Sequence, residues 1–169
     1  MKARKLAIVG ATGAVGQEML KVLEKRNFPY DELVLLASAR SAGKKITFRG
    51  TEHTIQELTE DSFHGIDLAL FSAGGSITKK FAPVAVSAGT VVVDNSSAYR
   101  LDPDVPLIVP EINPQDAKSH KGILANPNCS TIIMLMAVYP IYKLYGIRRL
   151  VVSTYQAASG AGAAAMEEL

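Results

Sequence analysis

The sequence predicts an α/β fold of the Rossmann type, with a doubly wound, mostly parallel sheet. Two observations carry this. Short apolar runs ended by glycine or serine alternate with helical stretches, and the first run leads directly into closely spaced glycines and an amphipathic helix. A hydrophobic fraction of 48% and 13 glycines in 169 residues suit a globular chain able to bury a core.

Leu6-Ala7-Ile8-Val9 reads as a buried parallel strand. Gly10-Ala11-Thr12-Gly13-Ala14-Val15-Gly16 follows, then a helix to about Lys25 with Met19, Leu20 and Leu23 on one face. Between strand and helix, such glycines let backbone approach a pyrophosphate, and the helix start supplies N–H donors. The spacing is G-x-x-G-x-x-G, not the commoner G-x-G-x-x-G, so the flanking strand and helix carry the assignment of a dinucleotide site. The competing reading is a tight turn whose glycines only satisfy geometry.

The second strand, Leu33 to Ala37, ends in Ser38-Ala39-Arg40-Ser41-Ala42-Gly43-Lys44. An NAD site places an acid here on the ribose 2′-hydroxyl, whereas this chain offers hydroxyls and cations. Arg40 suits a 2′-phosphate through a charge-assisted fork, which favours NADP. An ordinary basic surface loop is the alternative. A small hairpin with its turn at Arg49-Gly50-Thr51 is expected between Lys45 and Gln56.

Asp67 to Phe71 is the next core strand; Ser72-Ala73-Gly74-Gly75-Ser76 then opens a helix reaching about Ser87. Small residues at strand ends, Ser72 and Gly74 among them, are where open α/β sheets bind ligands. Thr90 to Asp94 forms a further strand and runs into Asn95-Ser96-Ser97-Ala98-Tyr99-Arg100. The amide, hydroxyls and guanidinium suit an anion, and taken alone they suit a solvated loop equally well. Leu101 to Gly122 reads as irregular, broken by Pro103, Pro106, Pro110 and Pro114. Ile123 to Ala125 returns to the sheet. A helix follows to about Tyr145, then a strand from Arg149 through Tyr155, and a last helical stretch from Ala163 to Leu169.

Asn126-Pro127-Asn128-Cys129-Ser130-Thr131 contains the only cysteine, placed in the first turn of that helix. Helix-start amides favour an anionic sulfur, although a lone cysteine is by default a buried, inert residue. One cysteine excludes an internal disulfide framework and a cysteine-based metal cluster, and no metal site is expected. A net charge of +2 gives no reason to expect nucleic acid or a membrane surface as partner. The Met1–Lys5 cations and the run after them are too short for a signal peptide, so a soluble cytoplasmic protein is expected.

Five ordered motifs resemble those of the aspartate-semialdehyde dehydrogenase family: Gly10–Gly16, Ser38–Lys44, Asp94–Arg100, Asn126–Thr131 and Gln156–Gly162. The likeness covers essentially the whole chain. It implies the N-terminal domain of the semialdehyde dehydrogenase/glyceraldehyde-phosphate dehydrogenase-like architecture. Residues 1–155 would be the NADP-binding domain with the nucleophile, and 156–169 the start of a second catalytic and dimerisation domain. The implied reaction is reductive dephosphorylation of L-4-aspartyl phosphate by NADPH, leading toward lysine through diaminopimelate, threonine and methionine. By this resemblance Cys129 is the nucleophile; Arg100, Asn128 and Gln156 bind substrate or phosphate. Thr12, Gly13, Ala14, Val15, Arg40, Ser41, Ser159 and Gly160 match the family's NADP contacts, and Gly10, Ser72 and Gly74 are expected to join them from their place at strand ends. A homodimer or tetramer is implied for the longer family members.

N-acetyl-glutamyl-phosphate reductases share the chemistry but carry Gly at the position of Asn128 and lack the Ser38–Lys44 pattern. Malonyl-CoA reductases share the Asn-Cys turn and remain the second reading. A non-catalytic NADP-binding module with an inert Cys129 is the third. The family's acid–base histidine lies beyond Leu169, and His53, His64 and His120 match none of its catalytic motifs. The chain is therefore expected to be an N-terminal fragment with little activity of its own.

Overall fold

Alternation along the first strands sets the layers. In β1 (Lys5–Val9), Leu6 and Ile8 pack with Leu20 and Leu23 of α1 (Ala14–Lys25) on one face of the sheet. Ala7 and Val9 pack on the other face with Phe81, Ala82 and Ala85 of α2 (Gly75–Ser87). β2 (Glu32–Ala37) repeats the pattern, with Leu33 and Leu35 on the first face and Val34 and Leu36 on the second. Strands covered on both faces need apolar residues throughout, which is why these runs lack polar alternation.

This computed structural model describes residues 4–161 and 163–168. Gly162 of the last motif and the ends at 1–3 and 169 lie outside the described residues. Six parallel strands stand in the order β5-β2-β1-β6-β7-β8, with β5 at Gln56–Glu57, β6 at Leu68–Phe71, β7 at Val91–Asp94 and β8 at Ile123–Ala125. The chain steps one way from β1 through α1 to β2 and the other way from β6 through α2 to β7. The direction therefore reverses between β1 and β6, the switch point where such sheets bind ligands. Register pairs Val9 with Phe71, Phe71 with Asp94, and Asp94 with Ala125. Gly10, Ser72, Asn95 and Asn126 consequently emerge side by side along one edge.

The expected hairpin forms from β3 (Lys45–Phe48) and β4 (Thr51–Thr54). Its turn residues Arg49 and Gly50 both take positive φ, 48° and 73°, as a two-residue hairpin turn requires. The Arg49 side chain offsets its strained backbone by donating to the Leu23 carbonyl at 2.7 Å, near the end of α1. The short β5 that pairs with β2 was not legible in the sequence.

The 101–122 stretch is mostly irregular, as expected, but contains a 3-10 helix at Pro114–Ser119. Its residues Pro106 to Ile108 flank β8 through hydrogen bonds to and from Ala125. α3 (Cys129–Tyr145) has no buried residue among the described ones, and an apolar groove of about 490 Å³ lies beside it, lined by Val109, Pro127, Leu135, Tyr139 and others. The expected strand over Arg149–Tyr155 is a correction: no sheet pairing is present there, and Val151 and Tyr155 are 79% and 98% exposed. A strand needs a neighbour for its ladder, and among the described residues none lies alongside. α4 spans Ala163–Glu167. No described helix is long and apolar enough to cross a membrane.

Candidate active site

The glycines after β1 have three separate reasons for being there. Gly10 has φ +88°, and a Cβ on it would sit 2.4 Å from the Ser72 carbonyl oxygen at the end of β6. The two strand ends thus approach at the switch point as only glycine allows. Gly16 lies in the first turn of α1, where a Cβ would meet the Gly10 carbonyl oxygen at 2.3 Å. Gly13 is different. Its φ is −74°, a Cβ there would lie 3.4 Å from the Gly10 oxygen, and the residue is exposed.

Gly13 is also the N-cap of α1, with no side-chain cap and no acidic residue in the first turn. Thr12, Ala14 and Val15 are exposed beside it. A helix start with free amides, no competing carboxylate and little side-chain bulk fits a phosphate-bearing cofactor. The turn is anchored from behind. The Gly10 amide donates to the Leu36 carbonyl at 2.9 Å, and Gln17 Nε2 donates to the Ala11 carbonyl at 2.7 Å.

Arg40 and Ser41 lie in a 3-10 turn just past β2. Ser41 is buried, while Arg40 is exposed and its guanidinium has no hydrogen bond or ion pair among the described residues. On the other flank, Ser72 is half-buried and Gly74 is the N-cap of α2 at φ 84°. The start of α2 faces the loop after β7, since a Cβ on Gly75 would lie 3.7 Å from Ser97 Oγ.

That loop is shaped by Asp94, which is fully buried. Its carboxylate accepts from the Ser96 amide at 2.8 Å and the Ser96 hydroxyl at 2.9 Å. The Ser96 oxygen accepts from the Ala98 amide at 3.1 Å, so the chain turns back and delivers Arg100 to the same edge. Arg100 Nε donates to the Asn126 carbonyl and one Nη2 hydrogen to the Asn95 carbonyl, each at 2.9 Å. Its remaining N–H groups have no acceptor among the described residues. Asn126 Nδ2 in turn donates to Asn95 Oδ1 at 2.6 Å.

Two residues on, Asn128 caps α3 by accepting the Ser130 amide at 3.0 Å, and Cys129 is the first helical residue. The Cys129 thiol is exposed and donates to Gln156 Oε1 at 3.4 Å; the Ser130 hydroxyl reaches the same oxygen at 3.5 Å. Gly160 packs on that glutamine, where a Cβ would come within 2.2 Å of Gln156 Nε2. Ser159 belongs to the same 3-10 turn, Ala158–Ala161.

The structure therefore brings together Gly10 with Ser72, Arg100 with the Asn126 end of the cysteine turn, and Cys129 with Asn128, Gln156 and Gly160. Arg40 and Ser41 stand at the end of the neighbouring strand and touch none of these side chains. Sequence reasoning counted the Asn95 amide only in the composition of an anion-suited loop and gave no role to Asn126. The signal available was two amide residues directly following paired strands.

Comparison with known proteins bears on this arrangement. The semialdehyde dehydrogenase NAD-binding domain model matches residues 5–120, and the semialdehyde dehydrogenase dimerisation domain model matches residues 138–169. An aspartate-semialdehyde dehydrogenase of Aquifex aeolicus is 64% identical over 98% of this chain and 49% of its own length. The crystal structure of aspartate semialdehyde dehydrogenase II from Vibrio cholerae superposes with a TM-score of 0.93 at 51% identity, over 99% of this chain and 50% of that one. A Candida albicans aspartate semialdehyde dehydrogenase solved with NADP superposes with a TM-score of 0.69 at 28% identity, over 86% of this chain and 48% of that one. The chain spans about half the length of the curated relatives it matches.

Proposed function

Since the chain belongs to the semialdehyde dehydrogenase family, we propose that it is the cofactor- and nucleophile-bearing half of an aspartate-semialdehyde dehydrogenase. In this reading residues 1–155 form the NADP-binding domain and 156–169 open the dimer-forming domain, although the dimerisation-domain match begins earlier, at residue 138 within α3. The bare apolar surface of α3 supports a second domain in the working enzyme. The reaction is NADPH-dependent conversion of L-4-aspartyl phosphate to aspartate semialdehyde and phosphate, in amino-acid biosynthesis.

One observation carries this reading: an exposed cysteine begins a helix at the sheet edge that also bears the glycine turn, and Gln156 holds its sulfur at 3.4 Å. The sulfur of Cys129 attacks the acyl carbonyl carbon, forming a C–S bond as its S–H proton is lost to solvent. The C–O bond to phosphate breaks, and phosphate leaves with that electron pair. Arg100, its guanidinium fixed by two carbonyls, binds the phosphate through its free N–H groups. Asn128 lies next to the sulfur and stabilises the developing oxyanion or the departing phosphate. Gln156 orients the substrate. NADPH, when held by the glycine turn and its neighbours, would supply the hydride that reduces the thioacyl group, and breaking of the C–S bond would then return Cys129. Gly10, Thr12, Gly13, Ala14, Val15, Ser72, Gly74, Ser159 and Gly160 receive the dinucleotide, and Arg40 with Ser41 its 2′-phosphate.

Titration with NADPH, followed by nicotinamide fluorescence, tests the cofactor assignment. Saturable binding that Gly13→Ala removes is expected, and a signal that never saturates would overturn it.

A further inference from the structure

We infer that the side-chain pair Asn95–Asn126 is a positioning device that holds Arg100 as an anion receptor beside the cysteine turn. The inference rests on the proposed phosphate-binding role of Arg100 and extends it to two residues to which that reading gives no part.

Three hydrogen bonds close a ring. Arg100 Nε donates to the Asn126 carbonyl, Arg100 Nη2 to the Asn95 carbonyl, and Asn126 Nδ2 to Asn95 Oδ1. Both carbonyls belong to residues that directly follow paired strands, since Asp94 of β7 stands opposite Ala125 of β8. At this point the sheet ladder ends, and the two chains diverge toward Arg100 on one side and Cys129 on the other. The Asn126 amide still donates to the Asp94 carbonyl at 2.8 Å. Beyond it, the 2.6 Å bond between the two side chains is the cross-link that holds the carbonyls at the spacing a guanidinium spans. Without it, the Asn126 carbonyl, whose peptide leads into Pro127 and has no N–H to anchor it, turns more freely, while the Asn95 carbonyl stays held by the Ser96 amide on Asp94, so the planar guanidinium loses one point of a two-point seat. An arginine held by one bond samples several rotamers, and ordering it on an anion then costs the entropy the ring has already removed.

The chemistry fits amides rather than charges. A carboxylate in this ring would neutralise the guanidinium and compete with an incoming phosphate. Two neutral carbonyl acceptors fix the arginine while leaving its charge available.

The test uses the intact chain, inorganic phosphate as probe, and the alkylation rate of Cys129 by iodoacetate as readout, because a phosphate seated on Arg100 screens and blocks the neighbouring thiol. Phosphate is expected to protect the wild-type chain, and Arg100→Ala to abolish protection. Asn95→Ala and Asn126→Ala should each raise the half-protecting phosphate concentration roughly five- to tenfold, the weight of one hydrogen bond in a coupled network. The double variant should do no worse than either single one, since both break the same bond.

Nitrogen-15 NMR of the Arg100 Nε–H group reads the device without any anion. This resonance should be ordered in the wild type and averaged in both asparagine variants. NADPH affinity and the thermal midpoint separate this from a general loss of fold. Lowered stability with an ordered Nε–H and unchanged phosphate protection would overturn the inference alone. Absence of phosphate protection in the wild type would overturn it together with the role of Arg100 on which it rests.

Discussion

The Cys129 thiol donates to Gln156 Oε1 across 3.4 Å, although 27 positions separate the two residues in the chain. The bond joins the start of α3 to the segment after Tyr155, which otherwise has no sheet to hold it. It leaves the sulfur exposed and partnered by an acceptor only. Iodoacetamide should therefore modify Cys129 in the native chain without denaturant, as it does not modify a packed structural cysteine. Gln156→Ala removes the acceptor that covers one side of the sulfur, and the rate should rise roughly two- to fivefold, the weight of one modest hydrogen bond. Modification that waits for unfolding would show an inert thiol.

The glycine turn makes a divided prediction. Gly16→Ala drives a Cβ to 2.3 Å from backbone, so the chain should lose about 1–3 kcal/mol, readable as a lower urea midpoint. Gly13→Ala adds only an ordinary contact at φ −74°, so the midpoint should hold while NADPH binding falls. Equal loss of stability in both variants would mean that Gly13 serves packing, not a ligand.

Arg40 is the test of cofactor choice. Its guanidinium is exposed and free of partners among the described residues, so its removal costs the fold nothing. Arg40→Ala should weaken NADPH roughly ten- to a hundredfold, as loss of a charge-assisted pair does, and leave NADH unchanged. Paired isothermal titrations with the two nucleotides measure the difference.

Much of the fold was legible because burial on both faces writes itself plainly into short apolar runs such as Leu33 to Ala37, and glycines punctuate them. The placement of Cys129 on the first turn of α3 was legible for a similar reason, since a turn feeding an apolar run marks a helix start, and the structure adds Asn128 as its cap. What failed was non-local. Arg149 to Tyr155 has the composition of a strand, but composition cannot supply a pairing partner. Asn95 and Asn126 are 31 positions apart, and only the register of β7 on β8 reveals that they bond.

The ion pair Asp104–Lys121, at 2.6 Å, ties the irregular segment to the start of β8 and has a signed pH dependence. The hydrogen bond that Lys121 Nζ donates to Asp104 Oδ1 holds the Asp104 carboxyl below its ordinary pKa and the Lys121 ammonium above its own. The Asp104 contribution is present above the ordinary carboxylate range and is lost as pH falls through its lowered value. The Lys121 contribution is present below its ordinary range and is lost as pH rises through its raised value. Both groups are exposed, so the effect is small and fades with salt. Lys121→Ala should lower the urea midpoint slightly at neutral pH in low salt. The gap should close in strong acid and again in strong alkali.

The most direct measurement is intact-mass and peptide mass spectrometry of the chain after prolonged exposure to excess L-4-aspartyl phosphate without NADPH, which asks only for acyl transfer to the thiol and not for turnover. The proposed function predicts one aspartyl group, labile to hydroxylamine as a thioester is, carried on Cys129 and absent from Cys129→Ser. An unmodified chain, or an adduct on any other residue, would contradict it.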